Sequence, residues 1–311
     1  MPLTIVMYHY VRDLANSRYP AIKARTVEEF RGQLDHIGRH YQVVTAAEVA
    51  AAARGEEALP DNACWLTFDD GYADHYDNVL PLLAARGWQG SFFVPARPVL
   101  EGRLLDVNKI HFLLAATGDP DRLVEELRRE VEAARERGAE LRTWDDYVAA
   151  YMGECHLDTP QVLFVKLMLQ MGLPEDVRAP ICDALFARFV TADEAAFAAE
   201  LYMSQDQIRA MAAAGMCIGS HGHGHYWLST LSRVAQAEDI DRSLEFLGGL
   251  GVPLADWVMC YPYGDYDGDT LELVKARGGA LGVTTKSGVA DLATDSPLEL
   301  PRVDTIELPV A

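Results

Sequence analysis

Short apolar segments alternate with helical patterns at both ends of the chain, and this rhythm restricts the fold more than any other feature of the sequence. Leu3–Tyr8, Cys64–Phe68 and Gly90–Val94 have the composition of buried strands. The segments between them, such as Thr26–His40, carry apolar residues at helical spacing. A strand, helix, strand order is typical of parallel β/α units. The sequence therefore predicts an α/β fold built around a parallel sheet.

The rhythm stops in the middle of the chain. From about Leu104 to Ala214 the sequence is almost entirely helical in character, with helix-start signals at Asp119-Pro120 and Thr159-Pro160. The β/α rhythm resumes at Cys217–Ser220, and no flexible linker separates two halves. We predict a single domain, residues 1–311, in which residues 104–203 form a large helical insertion between strands.

Composition restricts the partners and the compartment. The formal net charge is −20 and the pI is about 4.7, which disfavours nucleic acid and anionic membrane surfaces as partners. No apolar run approaches the roughly 18 residues that span a bilayer. The N-terminus reads as a strand and not as a signal peptide, and no CxxC pair is present. These features predict a cytoplasmic protein without a transmembrane segment. The five cysteines are Cys64, Cys155, Cys182, Cys217 and Cys260.

Polar side chains follow two of the predicted strands. Asp69 and Asp70 come directly after Cys64–Phe68, and the run His221-Gly222-His223-Gly224-His225 comes directly after Cys217–Ser220. Catalytic groups of barrels often lie at the C-terminal ends of parallel strands. Taken alone, the aspartates are equally consistent with a catalytic pair and with a structural pair, in which one caps the next helix and the other is solvated. Three clustered histidines are harder to explain as structural residues.

Together the two segments predict a metal site beside a second carboxylate that does not bind the metal and can act as a base. Neutral imidazoles are good ligands for zinc and similar ions, and one carboxylate completes a three-ligand site with positions left for water. The second carboxylate remains to take a proton from water, while the metal lowers the pKa of that water and polarises the bond under attack. This chemistry is hydrolysis of an amide or an ester. The spacing leaves His223 open as a ligand, a substrate contact or a supporting residue.

A third segment, Tyr261-Pro262-Tyr263-Gly264, also follows a predicted strand. It is either a simple turn or a turn that points backbone N–H groups at a developing oxyanion. The three segments, in this order, resemble the motifs of the polysaccharide deacetylase family, also called the NodB-homology family of carbohydrate esterases. The resemblance covers about Leu3–Leu100 and Met203–Thr305 and excludes the helical insertion. It implies a distorted, incomplete (β/α) barrel of seven strands that removes N-acetyl, and sometimes O-acetyl, groups from sugars.

By this resemblance Asp69 would be the general base, and Asp70, His221 and His225 would hold one divalent metal. The backbone N–H of Tyr263 would help to stabilise the oxyanion. Zinc is the metal we expect, although cobalt, iron and nickel also accept two histidines and a carboxylate.

The chain departs from the family pattern at a base-orienting arginine. Many members carry this arginine two residues before the proline of the third motif, where Cys260 stands here. Arg302, in the segment Leu300-Pro301-Arg302-Val303-Asp304, is a candidate to hold Asp69 instead. Lys286 is a second candidate.

A second departure concerns the proton donor. Many members carry a late Leu-x-His motif that supplies the general acid, but no histidine follows His225 in this chain. His9 ends the first predicted strand and resembles the N-terminal Tyr-His segment of a subgroup of exopolysaccharide and surface-glycan deacetylases. We predict that His9 is the acid or a substrate contact, and a purely structural histidine is the alternative.

Further polar residues are candidates for substrate binding. Asn108, Lys109 and His111 open the predicted insertion and would either contact the polar groups of a substrate or anchor the insertion. The remaining candidates are Tyr72 and His223, which belong to the first and second motifs.

The sequence thus predicts a metal-dependent N-deacetylase of an acetamido sugar, acting on a glycan precursor in cell-surface polysaccharide or O-antigen biosynthesis. A precursor is favoured over a finished polymer because no signal peptide is recognised and because the insertion would narrow the groove. One alternative is a hydrolase of non-sugar amides on the same fold. The other is a catalytically weak glycan-binding relative. The sugar, the acyl position and the oligomeric state are left open.

Overall fold

The computed structural model of the protein describes residues 2–154 and 158–310. Cys155 lies outside the described residues. The other four cysteines are free thiols. The strands are β1 (Pro2–Tyr8), β2 (Val11–Arg12), β3 (Arg25–Thr26), β4 (Gln42–Val43), β5 (Ala63–Phe68), β6 (Ser91–Val94), β7 (Cys217–Ser220), β8 (Val258–Cys260), β9 (Leu281–Ser287), β10 (Ala290–Asp291) and β11 (Leu300–Asp304).

The α-helices lie between the strands, and most of them fall in the middle of the chain. They are α1 (Val27–His40), α2 (Ala46–Ala53), α3 (Leu80–Ala84), α4 (Ala96–Glu101), α5 (Asp106–Thr117), α6 (Pro120–Glu136), α7 (Trp144–Tyr151), α8 (Pro160–Leu167), α9 (Glu175–Phe189), α10 (Glu194–Leu201), α11 (Gln205–Ala213), α12 (Arg233–Gly249) and α13 (Gly268–Ala276). Two π-helical segments, His75–Val79 and Met168–Gly172, lie next to α3 and α8. Short 3₁₀ turns span Leu228–Thr230, Pro262–Gly264 and Thr305–Glu307.

Seven parallel strands close into a barrel in the order β1, β11, β9, β8, β7, β6, β5, and β5 pairs back with β1. A full (β/α) barrel has eight strands, so the predicted incomplete (β/α) barrel of seven strands is confirmed. β4 extends the sheet beside β5, and β10 pairs antiparallel with β1. β2 and β3 form a separate two-stranded sheet.

The closing pair of strands brings two predicted site residues to the same end of the barrel. β1 and β5 pair in register from Leu3↔Ala63 to Tyr8↔Phe68. The next residue on each strand is His9 and Asp69, and the backbone N–H of Asp69 donates to the carbonyl of Tyr8 at 2.9 Å. Parallel pairing therefore places His9 beside the aspartate pair.

The chain forms two compact units, each with its own core. The barrel unit comprises Met1–Arg12, Ala24–Gly102 and Ala199–Ala311, and its core contains Phe30, Phe68 and Phe92. All residues of β5 and β6 are buried, as expected for strands covered on both faces. The helical unit comprises Asp13–Lys23 and Arg103–Ala198. It overlaps most of the predicted insertion and also includes residues 13–23, which the sequence did not group with it.

The core of the helical unit follows from helical spacing. Leu123, Leu127 and Val131 lie on one face of α6 and are fully buried against Phe164 and Leu185. Asp119 caps α6 by accepting the backbone N–H of Arg122, as the sequence predicts. α7 was not predicted from the sequence. None of the described helices is long and apolar enough to cross a membrane.

Candidate active site

Asp70, His221 and His225 converge at the ends of β5 and β7. Asp70 Oδ1 lies 3.3 Å from His221 Nε2 and 3.4 Å from His225 Nε2. One ligand atom from each residue lies within 4.8 Å of the other two, and all three residues are buried. The arrangement offers one carboxylate oxygen and two imidazole nitrogens to a single ion, which is a donor set typical of zinc and related metals.

Backbone turns aim these side chains inward. Asp70 has a φ of 73° and His225 a φ of 57°, values that non-glycine residues adopt rarely and often at functional sites. Gly71 continues the left-handed turn with a φ of 66°, and a Cβ there would lie 2.9 Å from Val94 Cγ1. Gly71 is therefore required both by the turn and by the close approach of β6.

A hydrogen bond at Nδ1 of His221 orients this ring so that Nε2 can be a metal ligand. His221 Nδ1 lies 2.7 Å from the carbonyl of Cys260 and donates a hydrogen bond to that oxygen, so Nε2 is the ring nitrogen that faces Asp70 and would bind an ion. Metal-binding histidines are commonly held in this way. The geometry around the donor atoms thus fits a metal.

The electrostatics around Asp70 also fit a metal. Burial raises the pKa of Asp70, but hydrogen bonds with His221 and His225 outweigh it and hold the pKa well below its usual value. Burial lowers the pKa of His221, but Cys260 and the hydrogen bond with Asp70 outweigh it and raise that pKa well above the usual value. Burial lowers the pKa of His225. The buried carboxylate therefore favours a positive charge at this position, as a divalent cation supplies.

Asp69 is held by Arg302, which lies on β11, with β1 between β11 and β5 in the barrel order. Arg302 Nη1 donates to Asp69 Oδ1 at 2.8 Å, and Nη2 donates to Oδ2 at 2.7 Å. Both residues are buried. Burial raises the pKa of Asp69, but the Arg302 charge and hydrogen bonds lower it to about 2. The carboxylate is therefore ionised at neutral pH. Lys286, the second candidate from the sequence, is exposed.

The neighbours of Arg302 fix its orientation. Its Nε donates to the carbonyl of Thr284 at 2.7 Å, and Nη1 reaches the hydroxyl of Thr67 at 3.2 Å. Nη2 lies 3.4 Å from Cys260 Sγ. The small Cys260 side chain thus stands against the guanidinium that enters from β11. The pairing of β11 with β9 is irregular at this point, and such bulges redirect side chains.

His9 lies at the open side of Asp69. Its Nε2 is 3.8 Å from Asp69 Oδ2, and its side chain is 43% exposed whereas Asp69 is buried. A half-exposed imidazole beside a buried carboxylate can reach both the carboxylate and a bound molecule. The structure therefore brings His9 and Arg302 to the same aspartate.

Tyr263 packs against His225 and Trp227. It adopts a φ of 58° within the turn Pro262–Gly264, and its ring stacks on Trp227 at a centroid distance of 4.4 Å. The same ring meets His225 edge-on at 4.6 Å. The turn predicted as a source of the oxyanion donor thus lies directly against a candidate metal ligand.

Asp239 on α12 holds the histidine loop and was not predicted from the sequence. Its Oδ2 accepts the backbone N–H of His223 at 2.9 Å, and its Oδ1 accepts that of Gly224 at 2.8 Å. Gly222 has a φ of +69°, and a Cβ there would lie 2.6 Å from Asp239 Oδ2. The glycine is needed because the loop passes so close to this carboxylate.

Two other residues of the motif segments, Tyr72 and His223, lie outside the group of candidate metal ligands. Tyr72 is fully buried, and its hydroxyl donates to Asp70 Oδ2 at 2.5 Å. It therefore positions Asp70 and has no surface for a substrate contact, which corrects the sequence prediction. The ring of His223 is buried with Nε2 3.4 Å from Glu101 Oε1, and this residue is not in the metal cluster of the described residues.

The three candidates from the start of the predicted insertion lie in the helical unit. Lys109 is buried and forms ion pairs with Asp183, with Glu194 at 3.1 Å and with Asp106 at 3.8 Å. This network favours the anchoring role for Lys109. Asn108 is fully buried in α5, and His111 lines a cavity of about 300 Å³ within the same unit.

A comparison with protein families identifies the class. The family model described as polysaccharide deacetylase matches residues 56–143 and 174–281. The chain therefore belongs to the polysaccharide deacetylase family, and it is a hydrolase of the carbohydrate deacetylase class.

Particular relatives share parts of the sequence. A segment of 84 residues is 37% identical to the poly-beta-1,6-N-acetyl-D-glucosamine N-deacetylase of Escherichia coli strain K12. This match covers 27% of the chain and 12% of that relative, so the chain spans only a small part of the relative's length. The corresponding protein of Escherichia coli O157:H7 matches to the same extent.

Solved structures share the fold over nearly the whole chain. The Streptococcus pyogenes deacetylase PplD, in complex with acetate, has a TM-score of 0.60 at 18% identity, over 99% of this chain and 93% of that one. IcaB from Ammonifex degensii has a TM-score of 0.58 at 21% identity, over 98% and 91%. The BpsB deacetylase domain from Bordetella bronchiseptica has a TM-score of 0.56 at 16% identity, over 97% and 95%.

Proposed function

We propose that the protein is a metal-dependent N-deacetylase that hydrolyses the acetamido group of a sugar in a glycan or a glycan precursor. One observation carries the proposal. Asp70, His221 and His225 offer three buried donor atoms to one ion, and the neighbouring Asp69 is ionised and held by Arg302 at 2.7 and 2.8 Å. Amide hydrolysis by water needs a group that activates the carbonyl and a base that deprotonates the water. A metal site with an adjacent, separately held carboxylate provides both.

Asp70, His221 and His225 would hold the metal, and zinc is the ion we expect. When bound, a divalent cation supplies Lewis acidity, which makes water easier to deprotonate and a carbonyl easier to attack. The hydroxyl of Tyr72 and the carbonyl of Cys260 keep Asp70 and His221 oriented for this task.

Asp69 acts as the general base that takes a proton from the attacking water. A carboxylate with a pKa of about 2 is a weak base in solution, so its contribution depends on position and on the acidity of the water. Arg302 supplies the position, because two parallel hydrogen bonds fix the plane of the carboxylate.

His9 is the group that donates a proton to the departing sugar nitrogen. It is the half-exposed imidazole next to Asp69. Water adds to the acetyl carbon, the C–N bond breaks, and the products are acetate and the amino sugar. The backbone N–H of Tyr263 hydrogen-bonds to the oxygen that becomes negative during this addition.

The first substrate to test is a β-1,6-linked oligomer of N-acetylglucosamine, which the Escherichia coli relatives suggest by their names. Monomeric and nucleotide-linked acetamido sugars represent the precursor alternative. A role in cell-surface polysaccharide or O-antigen biosynthesis remains a prediction, and deletion of the gene tests it. A location in the cytoplasm is also a prediction, and cell fractionation tests it.

The experiment is acetate release by the purified protein, with its metal content measured before and after treatment with dipicolinate. We expect one divalent ion per chain, loss of activity on chelation and recovery when zinc, cobalt, iron or nickel is returned. D69N should keep the metal and lose acetate release, whereas D70N should lose both.

Two results would contradict the proposal. Acetate release that survives complete removal of metal would exclude metal dependence. Hydrolysis of ureides or cyclic imides without release of acetate from any acetamido sugar would assign the site to non-sugar amides.

A further inference from the structure

One helical turn holds the backbone segment that carries His9. The segment His9–Arg12 follows β1 and ends with β2, and the π-helical segment His75–Val79 contacts it. His75 Nε2 lies 2.9 Å from the carbonyl of His9, and Asn78 Nδ2 donates to the carbonyl of Val11 at 2.8 Å. The two side chains therefore hold the backbone at His9 and at Val11 by hydrogen bonds.

A third contact secures the far end of the same segment. Arg12 donates from Nε to Asp74 Oδ2 at 2.8 Å and from Nη2 to Asp74 Oδ1 at 3.1 Å. The backbone N–H of Arg25 donates to the carbonyl of Tyr10 at 3.1 Å. The carbonyls of three successive residues after β1 therefore all accept hydrogen bonds.

His75 is a neutral donor in this arrangement. Its ring is fully buried and packs edge-on against Phe68 and Tyr72. Because its Nε2 faces a carbonyl oxygen, that nitrogen carries the proton. Burial lowers the pKa of His75 to about 4, so the ring carries no charge at neutral pH. A charged residue is not needed for the contact, and an amide can replace the donor.

The turn that carries these donors has an irregular form. His75–Val79 is π-helical, and the backbone N–H of Leu80 bonds to the carbonyl of His75. A π-helical turn inserts one residue into a helix and shifts the side chains that follow, and such turns are frequent at functional sites. His75 and Asn78 are three residues apart, so both side chains face the segment His9–Arg12.

We propose that His75 and Asn78 are positioning residues, which hold the backbone at His9 and Val11 so that the His9 imidazole stays beside Asp69 at the site of leaving-group protonation. This inference rests on the proposed function, because it assigns the two residues to the delivery of the proton by His9. The side-chain hydrogen bonds of His75 and Asn78 go to backbone carbonyls of the segment His9–Arg12, and not to the candidate metal ligands.

The test compares two substrates that differ in their need for a proton. An acetamido sugar releases an amine, which must be protonated, whereas 4-nitrophenyl acetate releases a phenolate that leaves without protonation. Four variants are measured with both: H9A, H75F, H75Q and N78D. H75F removes the donor and H75Q returns one, while N78D places an acceptor against the carbonyl of Val11.

The chain offers a matched control for N78D. Asn62 also donates from Nδ2 to a backbone carbonyl, that of His40, at 3.0 Å, and it lies in the loop before β5. N62D therefore makes the same chemical change away from the site.

We expect H75F and N78D to lower kcat for the acetamido sugar on the order of 10-fold or more, with KM and the rate with 4-nitrophenyl acetate unchanged. H75Q should recover most of the loss, N62D should behave as the wild type, and H9A should show the largest loss with the sugar. Equal losses with both substrates, or full activity of H75F and N78D while H9A is impaired, would overturn the inference.

Crystal structures of N78D and N62D supply a readout that does not depend on turnover. In N78D we expect His9 Nε2 to move away from Asp69, beyond the present 3.8 Å, and in N62D we expect it to stay. An unmoved His9 in N78D overturns the inference even if no sugar substrate is found. A wild-type protein that releases no acetate from any acetamido sugar overturns the proposed function instead.

Discussion

Arg302 forms a buried ion pair with Asp69 although 233 residues separate them in the chain. A buried pair contributes little net stability when it is complete, but removal of one partner leaves an uncompensated charge. The pair also sets the orientation of the proposed base. A change at Arg302 should therefore affect stability and turnover together.

R302M is expected to lower the free energy of unfolding by about 3–5 kcal/mol, because Asp69 remains buried without a partner. Acetate release should fall on the order of 100-fold, since the carboxylate loses the two hydrogen bonds that orient it. Urea unfolding and steady-state kinetics provide the two measurements. The double variant D69N/R302M should recover much of the stability and none of the activity.

The control is R277M, which breaks a bidentate pair with Asp241 at the surface. Asp241 is 52% exposed, so it is solvated when its partner is lost, and the cost should stay within about 1 kcal/mol. Full activity of R302M at the wild-type pH optimum would show that Arg302 does not position the base.

His75 predicts a pH dependence of stability. Its pKa is lowered by burial to about 4 in the folded protein, whereas an unfolded histidine titrates near 6.5. Between these values the unfolded chain binds the extra proton, so the free energy of unfolding falls as the pH drops. The loss from this one residue should reach about 3 kcal/mol between pH 6.5 and pH 4.

The measurement is urea unfolding of the wild type and H75Q at several pH values between 7 and 4. Other groups also titrate in this range, so the difference between the two pH profiles isolates His75. H40Q, at the exposed end of α1, is the matched control for the loss of one imidazole. Parallel profiles for the wild type and H75Q would contradict the prediction.

At the level of strands and helices, the sequence predicted what depends on local pattern. The predicted strand Cys217–Ser220 matches β7 in full. Thr26, followed three residues later by Glu29, has the sequence pattern of a capping box, and this box starts α1. Helical spacing that ends at Gly87 predicts a helix over Asn78–Arg86, but helical structure begins earlier, with the π-helical turn at His75. Apolar periodicity does not distinguish a π-helical turn from an α-helical one.

The contacts of the site were less accessible to sequence reasoning. His9 and Arg302 could be nominated as single residues, but their approach to Asp69 depends on barrel closure through β1 and β5 and on the irregular pairing of β11. Asp239 was missed because a single acidic residue in a helix is usually solvated. The available signal was its place on the buried face of α12, between Gln236 and Ser243.

Asp239 on α12 provides a prediction for that element. D239N replaces one of two carboxylate oxygens that accept backbone N–H groups of the histidine loop. The loop should loosen, and the affinity for the metal should fall about 10- to 100-fold. Competition with a chelator of known affinity measures this change. The control is D241N, which lies on the same helix but is paired with Arg277 at the surface and should bind metal as the wild type does. An unchanged metal affinity of D239N would show that Asp239 does not support the metal site.

At the level of the whole molecule, the helical unit has its own core and its own buried ion network. Lys109 is 2% exposed, and its three carboxylate partners, Asp106, Asp183 and Glu194, all belong to the same unit. Burial lowers the pKa of Lys109, but these carboxylates outweigh it and raise the pKa, so the residue is charged at neutral pH. The network joins α5, α9 and α10.

K109M should therefore destabilise the helical unit selectively. Loss of the charged hydrogen bond to Asp183 should cost about 1.5–3 kcal/mol, moderated because Asp183 and Glu194 are partly exposed and can be solvated. Hydrogen exchange followed by mass spectrometry should show faster exchange in α5 and α9, with β1, β5 and β7 unchanged and metal affinity retained. R129M, which removes a 63% exposed partner of Glu126, should alter neither unit. If K109M instead accelerated exchange in the barrel strands to the same degree, the two units would unfold as one, and the ion network would stabilise the whole chain.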